Sequence, residues 1–423
     1  MTRIRAAIAR GVLDSRGKPT IEVEIAIDTA TVRAIAPAGA STGRFEARER
    51  RDADGFGVRD ACAVFQNEVA PGLIGRDPCD QASIDAWLRA LDGTADLRRL
   101  GGNTAIATSM AVAHAGAAAR GVPLWRHVAG DAATDPRLPM PEIQIFGGGA
   151  HAHGRLDLQD FMVVPIGAPD WRAALDWSAQ IYRAAGQLLA EQGRLHGVAD
   201  EGGHFPAFDG NEAALGLLVE SIERAGRRAG EDVAISIDVA ASQLYRDGCY
   251  RLPADGIELA RAEWVERLAD WIHRYPIALI EDPCAEDDVE SWRAFRSLAP
   301  PCKVVGDDLV VTDAARIRAA ARDDLIDAAL IKPNQAGTVS DAADAFGACL
   351  ATGRTPIVSA RSGETEDVTI VHLAVGWRAP MIKVGSIARG ERTAKWNEGL
   401  RISEQLGDPP LANPKWLSKQ RTR

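Results

Sequence analysis

The sequence lacks several features that would each point to a specialised class of protein. Its six cysteines include no C-x-x-C pair, so we interpret them as reduced and mostly buried side chains. It contains no run of about 18 apolar residues, and its first 20 residues have no apolar stretch long enough for a signal peptide. We therefore expect a soluble, cytoplasmic protein with no membrane partner.

An excess of positive charge is also missing. The chain carries 49 lysines and arginines against 59 aspartates and glutamates, which gives a formal net charge of −10. A nucleic-acid-binding protein would show a basic patch or stripe, so we expect no nucleic-acid partner. A local cluster of arginine, lysine and metal ions can still bind an anionic small molecule. With 423 residues, the chain is long enough for two or three domains of about 100–200 residues each.

The first third of the chain predicts a compact α+β domain. The segment IEVEIAID, residues 21–28, alternates apolar and charged residues as a half-exposed strand does. A polar loop, GASTG, follows, and then come three helical stretches, the last of which is rich in alanine and ends at Gly121. The stretch DAATDPRLPMP resembles a linker. We predict a boundary here, with one domain over residues 1–135 and a second over residues 136–423.

The second domain repeats short apolar runs that end on charged residues. The principal residues at these ends are Asp238, Glu281, Asp307, Lys332, Arg361 and Lys383, at intervals of 22 to 43 positions. Amphipathic, helix-like stretches lie between the runs. This alternation predicts βα units on a parallel sheet, and so many units favour a closed, TIM-like α/β barrel over a doubly wound open sheet. The active site of such a barrel lies at the C-terminal ends of its strands.

The residues at the strand ends predict a metal site next to a basic site. Asp238, Glu281 and Asp307 offer only oxygen ligands, which favours Mg²⁺ over Zn²⁺. Each could instead cap the following helix, but three in succession favour a metal. Lys332 is either a general base whose pKa is lowered by burial and neighbouring cations, or a salt-bridge partner of the carboxylates. Both alternatives stay open at this stage.

Further candidates lie in loops. Glu201, in GVADEGGHFP, either faces Lys332 across the barrel mouth as the opposite acid–base partner or is an ordinary surface carboxylate. The run FGGGAHAHGRLDLQDF contains His151 and His153. A His-x-His pair also occurs in metal-dependent amidohydrolases, but that class needs further histidines on later strand ends, and these ends carry other residues.

Many ordered motifs of the chain resemble those of the enolase (phosphopyruvate hydratase) family. They include LDSRGKPTIEVE, PAGASTGRFEARERRD, GGNTAIATSMAVAHA, SIDVAAS, YPIALIEDP, VVGDDLVVT, LIKPNQAGTVS, SARSGETED and IKVGSIARGERTAKWN, and they extend over almost the whole chain. The resemblance implies an enolase-type barrel with an N-terminal capping domain, two Mg²⁺ ions, a small phosphorylated or phosphonate acid as substrate, and a homodimer or larger homo-oligomer. Enolase-superfamily sites use a Lys or His base with Mg²⁺ to stabilise an ene-diolate.

The resemblance also implies a role for each candidate residue. Asp238, Glu281 and Asp307 would hold the first Mg²⁺, and Ser41 would help to hold the second. Lys332 would remove the proton, and Lys383 would stabilise the enolate. Arg361 and Ser362 would bind the phosphate. Glu201 would be the acid on the opposite face, and His151 and Gln159 would line the pocket.

Two positions depart from the enolase pattern. Ala360 stands where enolases have a histidine, and Asp160 stands where they have a glutamate. Both lie on the side where the substrate hydroxyl leaves, so the resemblance implies intact enolate formation with altered hydroxide departure. Our leading hypothesis is a specialised paralogue such as carboxyphosphonoenolpyruvate synthase of phosphonate antibiotic biosynthesis. The alternatives are a true phosphopyruvate hydratase and an inactive scaffold. Whether His153 or His204 replaces the missing imidazole stays open.

Overall fold

The computed structural model describes residues 2–40, 43–130, 135–152, 155–298 and 300–412. Its N-terminal part contains a three-stranded antiparallel sheet of β1 (Ile4–Leu13), β2 (Pro19–Ile27) and β3 (Thr31–Ile35). The alternation in IEVEIAID corresponds to β2, whose Ile21, Val23 and Ile25 are fully buried. The predicted strand is therefore confirmed, and its apolar side chains belong to the core of this N-terminal part.

Helices cover one side of this sheet. They are α1 (Arg59–Val64), α2 (Ala70–Leu73), α3 (Gln81–Asp92), α4 (Gly102–Arg120) and α5 (Leu124–Ala129), with a π-helical turn (Phe65–Val69) between α1 and α2. The alanine-rich α4 is buried along most of its length, because small side chains allow close packing on both the sheet and its neighbours. It ends at Gly121, which takes a left-handed conformation with φ of 65°, as the sequence predicts.

The second part of the chain forms a closed eight-stranded barrel. Its strands are β4 (Met140–Gly147), β5 (Asp160–Val164), β6 (Ala234–Asp238), β10 (Ile277–Glu281), β11 (Lys303–Gly306), β12 (Ala328–Ile331), β13 (Thr355–Ser359) and β14 (Met381–Ser386); β7 (Tyr245–Arg246), β8 (Cys249–Leu252) and β9 (Ile257–Ala260) form a small separate sheet. The predicted barrel is confirmed. Every residue of β10, β12 and β14 is buried, as expected for strands covered on both faces.

One strand runs opposite to the prediction of an all-parallel sheet. β5 is antiparallel to both β4 and β6. The connection from β4 to β5, residues 148–159, contains in its described part only a 3₁₀ turn (Gly149–Ala152), and a parallel return would need a longer crossover. The reversal places the first residue of β5, Asp160, opposite Gly147 and Asp238, at the end of the barrel where its neighbours finish.

The barrel is surrounded by the remaining helices. They are α6 (Trp171–Glu191), α7 (Asn211–Arg224), α8 (Arg261–Arg274), α9 (Val289–Ser297), α10 (Ala314–Arg322), α11 (Pro333–Ala336), α12 (Val339–Ala351), α13 (Thr369–Gly376) and α14 (Gly390–Gln405). The amphipathic stretches DAARIRAAARDDL and VSDAADAFGACLATG contain α10 and α12 and confirm that prediction. In the described part of the chain, none of the helices combines the length and apolar character that crossing a membrane would require.

Candidate active site

The C-terminal ends of the barrel strands and the loops that follow them surround one polar cavity. Nine of the twelve predicted site residues line it: His151, Gln159, Asp160, Glu201, Asp238, Lys332, Arg361, Ser362 and Lys383. Ala360 and Gly39 also contribute to the lining. Glu281 and Asp307 do not line the cavity. They form ion pairs with Lys383 and Lys332, respectively, and both lysines do line it. Ser41 and His153 lie outside the described residues.

Lys383, on β14, lies among several carboxylates. Its Nζ is 2.7 Å from Glu281 Oε2, 3.0 Å from Asp238 Oδ2 and 3.4 Å from Asp160 Oδ2. Burial lowers the pKa of Lys383, but Asp238, Glu281, Asp160 and Glu142 outweigh this effect and raise it well above its ordinary value. Lys383 is therefore a permanent cation at neutral pH, suited to stabilising negative charge rather than to accepting a proton.

Lys332 contacts Asp307 directly, so the predicted salt bridge forms. Of the two alternatives open for Lys332, the salt bridge is the arrangement in this structure, and the role as a base stays a prediction. Burial does lower the pKa, but the adjacent Asp307 carboxylate outweighs it and raises the pKa above its usual value. A cation bound at Asp307 would offset the charge of that carboxylate and lower the pKa of Lys332, which would link the base to the metal site.

The three predicted metal ligands are held by hydrogen bonds of the barrel. Gln159 Nε2 donates to Asp238 Oδ2 over 3.0 Å, and Gln335 Nε2 donates to Asp307 Oδ1 over 3.0 Å. The capping alternative is wrong for Glu281 and Asp307, because α9 and α10 are capped by Asp288 and Asp313 instead.

The chemistry of this donor set fits a hard divalent cation. All the ligand atoms are carboxylate oxygens, and the buried Glu281 Oε1 has no hydrogen-bond partner among the described residues. Burial, together with Asp238, raises the pKa of Glu281 well above its ordinary value, a cost that a bound cation would remove. The ammonium of Lys383 lies between Asp238 and Glu281, so a cation shared by these carboxylates requires that lysine to shift.

Two groups of described residues bring their potential ligand atoms within 4.8 Å of one another, and the predicted set of Asp238, Glu281 and Asp307 is not one of them. These groups are His151, Asp160 and Glu201, and Asp282, Asp307 and Asp308. In the second group, Asp282 accepts hydrogen bonds from the backbone amides of Asp307 (2.9 Å) and Asp308 (2.7 Å), which orients Asp307. Burial, followed by the neighbouring Asp307 charge, raises the pKa of Asp308 to about 8.

His151, Asp160 and Glu201 form a second cluster, which meets the first at Asp160, 3.4 Å from Lys383 Nζ. His151 Nδ1 is 3.4 Å from Asp160 Oδ1, and His151 Nε2 is 4.0 Å from Glu201 Oε1. Burial lowers the pKa of His151, but the charges of Glu201 and Asp160 outweigh burial and raise the pKa above its ordinary value. Burial raises the pKa of Asp160, while Lys383 and His151 more than compensate and leave it lowered. Glu201 is buried, so the surface-loop alternative is wrong.

Residues of the N-terminal part of the chain contact the two predicted phosphate-binding side chains, Arg361 and Ser362. Glu46, which follows the GASTG loop, pairs with Arg361 at 2.9 Å. The backbone amide of Ala40 donates to Ser362 Oγ over 2.7 Å. Arg361 also donates to Asn334 Oδ1 over 3.1 Å. These contacts hold the two predicted phosphate-binding side chains between the N-terminal part and the barrel.

Family models agree with this architecture over most of the chain. The model described as "Enolase, N-terminal domain" matches residues 4–128, and "Enolase, C-terminal TIM barrel domain" matches residues 135–418. The chain belongs to the enolase family. This membership supports an enolase-like enzyme that acts on a small molecule, and the family's usual need for Mg²⁺ agrees with the acidic groups in the cavity. The exact boundary between domains at residue 135 stays a prediction.

Ala360 is the departure from the enolase pattern that most affects the cavity. It follows β13, and its backbone amide donates to the carbonyl of Lys383 on β14 over 2.9 Å. Ala360 therefore contributes only a methyl group to the cavity lining. Among the described residues, His151 is the only histidine in the cavity lining.

His204 does not replace that imidazole in this structure. Its ring stacks on Tyr182 of α6 with centroids 4.1 Å apart, and its Nε2 donates to the Tyr182 carbonyl oxygen over 3.2 Å. It is absent from the residues that line the cavity. The hypothesis that His204 substitutes for the missing histidine therefore loses its geometric basis.

Several residues of the site could not be found by the strand-end pattern. Gln144 on β4 donates to Asp160, Gln335 on α11 orients Asp307, and Glu46 pairs with Arg361. An alternating glutamine on a buried strand is a weak signal, and Glu46 lies 315 positions from Arg361 in the chain. Only the three-dimensional arrangement reveals these contacts.

Proposed function

We propose that this chain is a Mg²⁺-dependent enzyme that removes the α-proton of a phosphorylated three-carbon acid with the skeleton of 2-phosphoglycerate. We further propose that it is a specialised paralogue of the kind represented by carboxyphosphonoenolpyruvate synthase in phosphonate antibiotic biosynthesis. The observation that supports the proposal is a contrast within one cavity: Lys332 and Lys383 pair with the predicted metal carboxylates, while Ala360 contributes only a methyl group to the lining.

The two lysines divide the work of enolate formation. Lys332 takes the α-proton, since it is the lysine with a single ion-pair partner at its amine among the described residues. Lys383 remains charged because three carboxylates lie within 3.4 Å of it, and it faces the negative charge that develops on the substrate. Asp238, Glu281 and Asp307 would hold Mg²⁺, which supplies positive charge to the enolate when bound.

The phosphate is bound by Arg361 and Ser362. The guanidinium of Arg361 suits a planar, doubly hydrogen-bonded contact with phosphate oxygens, and the Ser362 hydroxyl can donate to a third. Both side chains line the same cavity as Lys332. This arrangement orients the substrate so that its α-carbon faces the base.

The departing side determines which group leaves. His151 lies between Asp160 and Glu201, whose charges raise its pKa above 6.5, and we assign its imidazolium as the proton donor near Ala360. The methyl group of Ala360 occupies less volume than an imidazole, and we propose that the difference accommodates a group larger than hydroxide. A second, phosphonate-containing substrate is the occupant that we propose for this space.

The alternative function is phosphopyruvate hydratase, the conversion of 2-phosphoglycerate to phosphoenolpyruvate and water. The His151–Asp160–Glu201 cluster favours this alternative, because it keeps an acid next to the departing hydroxyl. The scaffold hypothesis is disfavoured, since burying this many charges without a catalytic use costs stability.

The first test follows 2-phosphoglycerate with the full chain and Mg²⁺ in deuterated water, reading α-deuterium incorporation and phosphoenolpyruvate absorbance together. The proposal predicts deuterium exchange with little phosphoenolpyruvate. Rapid phosphoenolpyruvate formation would establish the hydratase instead. The absence of both signals, with Mg²⁺ binding confirmed separately, would overturn the proposed substrate skeleton.

We also propose that the protein works as a homodimer or larger homo-oligomer in the cytoplasm, in line with the enolase family. Light scattering of the purified full chain at micromolar concentration measures its mass in solution. A mass near the 45.1 kDa of one chain would contradict the oligomer proposal.

A further inference from the structure

Glu46, which lies outside the barrel, accepts hydrogen bonds at both of its carboxylate oxygens. Its side chain is only 7% exposed. Its Oε1 accepts hydrogen bonds from the backbone amide of Gly43 (2.7 Å), from Arg361 Nη2 (3.2 Å) and from Gln335 Nε2 (3.3 Å). Its Oε2 accepts from Arg361 Nη1 over 2.9 Å. Both oxygens of this carboxylate are therefore engaged, one of them by three donors.

The pair between Glu46 and Arg361 fixes the orientation of the guanidinium. Both terminal nitrogens of Arg361 donate to the same carboxylate, which is the two-bond arrangement that sets direction as well as strength. Asn334 Oδ1 accepts a further bond from Nη1 over 3.1 Å. With these contacts in place, Arg361 presents a defined edge to the cavity.

Gln335 connects the same carboxylate to the metal side of the cavity. Its Nε2 donates to both Glu46 Oε1 and Asp307 Oδ1, while its Oε1 accepts from the Thr312 hydroxyl over 2.6 Å. The Thr312 oxygen in turn accepts from the backbone amide of Lys332 over 2.9 Å. A continuous set of hydrogen bonds therefore joins Glu46 to Asp307 and to the backbone of the proposed base.

The turn that carries Thr312 is held in an unusual conformation. Val311 and Thr312 have φ values of 43° and 53°, which β-branched residues rarely adopt. Such strain persists only where the surroundings fix the backbone. The Thr312 hydroxyl is one of the contacts that require this turn.

We propose that Glu46 is a positioning residue that orients Arg361 and, through Gln335, Asp307, so that anion binding and divalent-cation binding are coupled. This inference rests on the proposed function for the assignment of phosphate to Arg361 and of Mg²⁺ to Asp307. Glu46 itself touches neither ligand. It acts by holding the side chains that do.

The test measures binding rather than turnover. Inorganic phosphate is titrated into the full chain by calorimetry with and without Mg²⁺, and the ratio of the two dissociation constants gives the coupling factor. Linkage requires that phosphate change Mg²⁺ affinity by the same factor, so the reverse titration is an internal check. In the wild type we expect coupling of about 5-fold or more, the lower end of common values.

Three variants separate the roles. Glu46→Gln keeps the length of the side chain and removes its charge, and we expect weaker phosphate binding and a coupling factor near one. Gln335→Leu removes the bonds to Asp307, Glu46 and Thr312 but leaves the Glu46–Arg361 pair, so we expect phosphate affinity near that of the wild type without Mg²⁺ but lost coupling. Glu46→Asp keeps the charge and is expected to recover part of the coupling.

Glu68→Gln is the matched control. Glu68 pairs with Arg99 within the N-terminal part, and both side chains are 39% exposed. Because an exposed pair contributes little, this variant should match the wild type in both titrations. Circular dichroism checks that each variant is folded, and Gln335→Leu keeps the inference testable if Glu46→Gln does not fold.

Unchanged phosphate affinity and unchanged coupling in folded Glu46→Gln would overturn the inference, and so would a wild type that binds no phosphate. If the wild type shows coupling that Glu46→Gln loses, yet exchanges no α-proton of 2-phosphoglycerate, the proposed function fails while the positioning role stands.

Discussion

The lysine side of the cavity and the side that faces Ala360 differ in how much of each comes from outside the barrel strands. On the lysine side, the charged residues lie in buried strands or directly after them: Lys383 is in β14, Glu281 ends β10, and Lys332 directly follows β12. On the other side, Asp160 begins β5, but Glu201 comes from a loop and His151 from a short 3₁₀ turn.

This difference shows where an enolase-type cavity can change. Strand ends are fixed by the barrel ladder, so altering one of them disturbs its neighbours. Loop residues can vary while the scaffold stays intact. The replacement at Ala360 removes a side chain but keeps the backbone bond to Lys383. We propose that proton removal and group departure diverge separately, and the following predictions test that separation.

The largest effect is expected for Lys332→Ala. Loss of a positioned base costs about 10²–10⁴-fold, so α-deuterium exchange should fall by that factor. Lys303→Ala is the control, because Lys303 begins β11, the strand that leads to Asp307, and its side chain is 37% exposed. Nuclear magnetic resonance of the exchange reaction measures both variants. Exchange that survives Lys332→Ala would place the base elsewhere.

Lys383→Met should destabilise the Mg²⁺-free protein strongly. Removing one partner of a buried charge cluster costs about 3–5 kcal/mol, because Asp238 and Glu281 lose their nearest cation. A cation bound only by the folded state adds stability, so Mg²⁺ should restore more stability in the variant than in the wild type. Urea unfolding with and without Mg²⁺ gives both values. Equal Mg²⁺ effects would show that Lys383 and the cation do not share these carboxylates.

His151 should make the departing side sensitive to pH. Its folded pKa is raised above the ordinary value of 6.5, so its contribution to stability is fully present below about pH 6.5. That contribution is lost as the pH rises through the folded pKa. The difference in unfolding free energy between wild type and His151→Gln should therefore shrink above pH 6.5. A difference that stays constant from pH 5 to 9 would mean that His151 is neutral when folded.

The smallest effect is expected for Asp313→Ala, a substitution outside the cavity. Asp313 caps α10 by accepting a bond from the Arg316 amide over 2.8 Å. Asp313→Ala should cost about 1 kcal/mol of stability and leave the exchange rate unchanged. A large loss of exchange in this variant would indicate that helix placement, rather than the cavity residues alone, controls the lysine side.

The sequence predicts the lysine side better than the departing side for a physical reason. Parallel strands bring their C-terminal ends together, so Asp238, Glu281 and Lys332 could be grouped from spacing alone. Asp160 could not, because it begins a strand that runs in the opposite direction. The direction of the Lys332 pKa shift could not be derived from spacing, because it depends on the contact between the amine and the Asp307 carboxylate. The role of Glu46 could not be predicted from the sequence, because its contact with Arg361 joins residues 315 positions apart.

The most direct test compares wild type with Ala360→His in a single assay. Both proteins are given 2-phosphoglycerate and Mg²⁺ in deuterated water, and the ratio of α-proton exchange to phosphoenolpyruvate formation is measured. We predict a high ratio in the wild type and a clear fall in Ala360→His, as the restored imidazole assists hydroxide departure while Lys332 is unaffected. A low ratio already in the wild type, unchanged by the substitution, would contradict the claim that proton removal and group departure have separated in this protein.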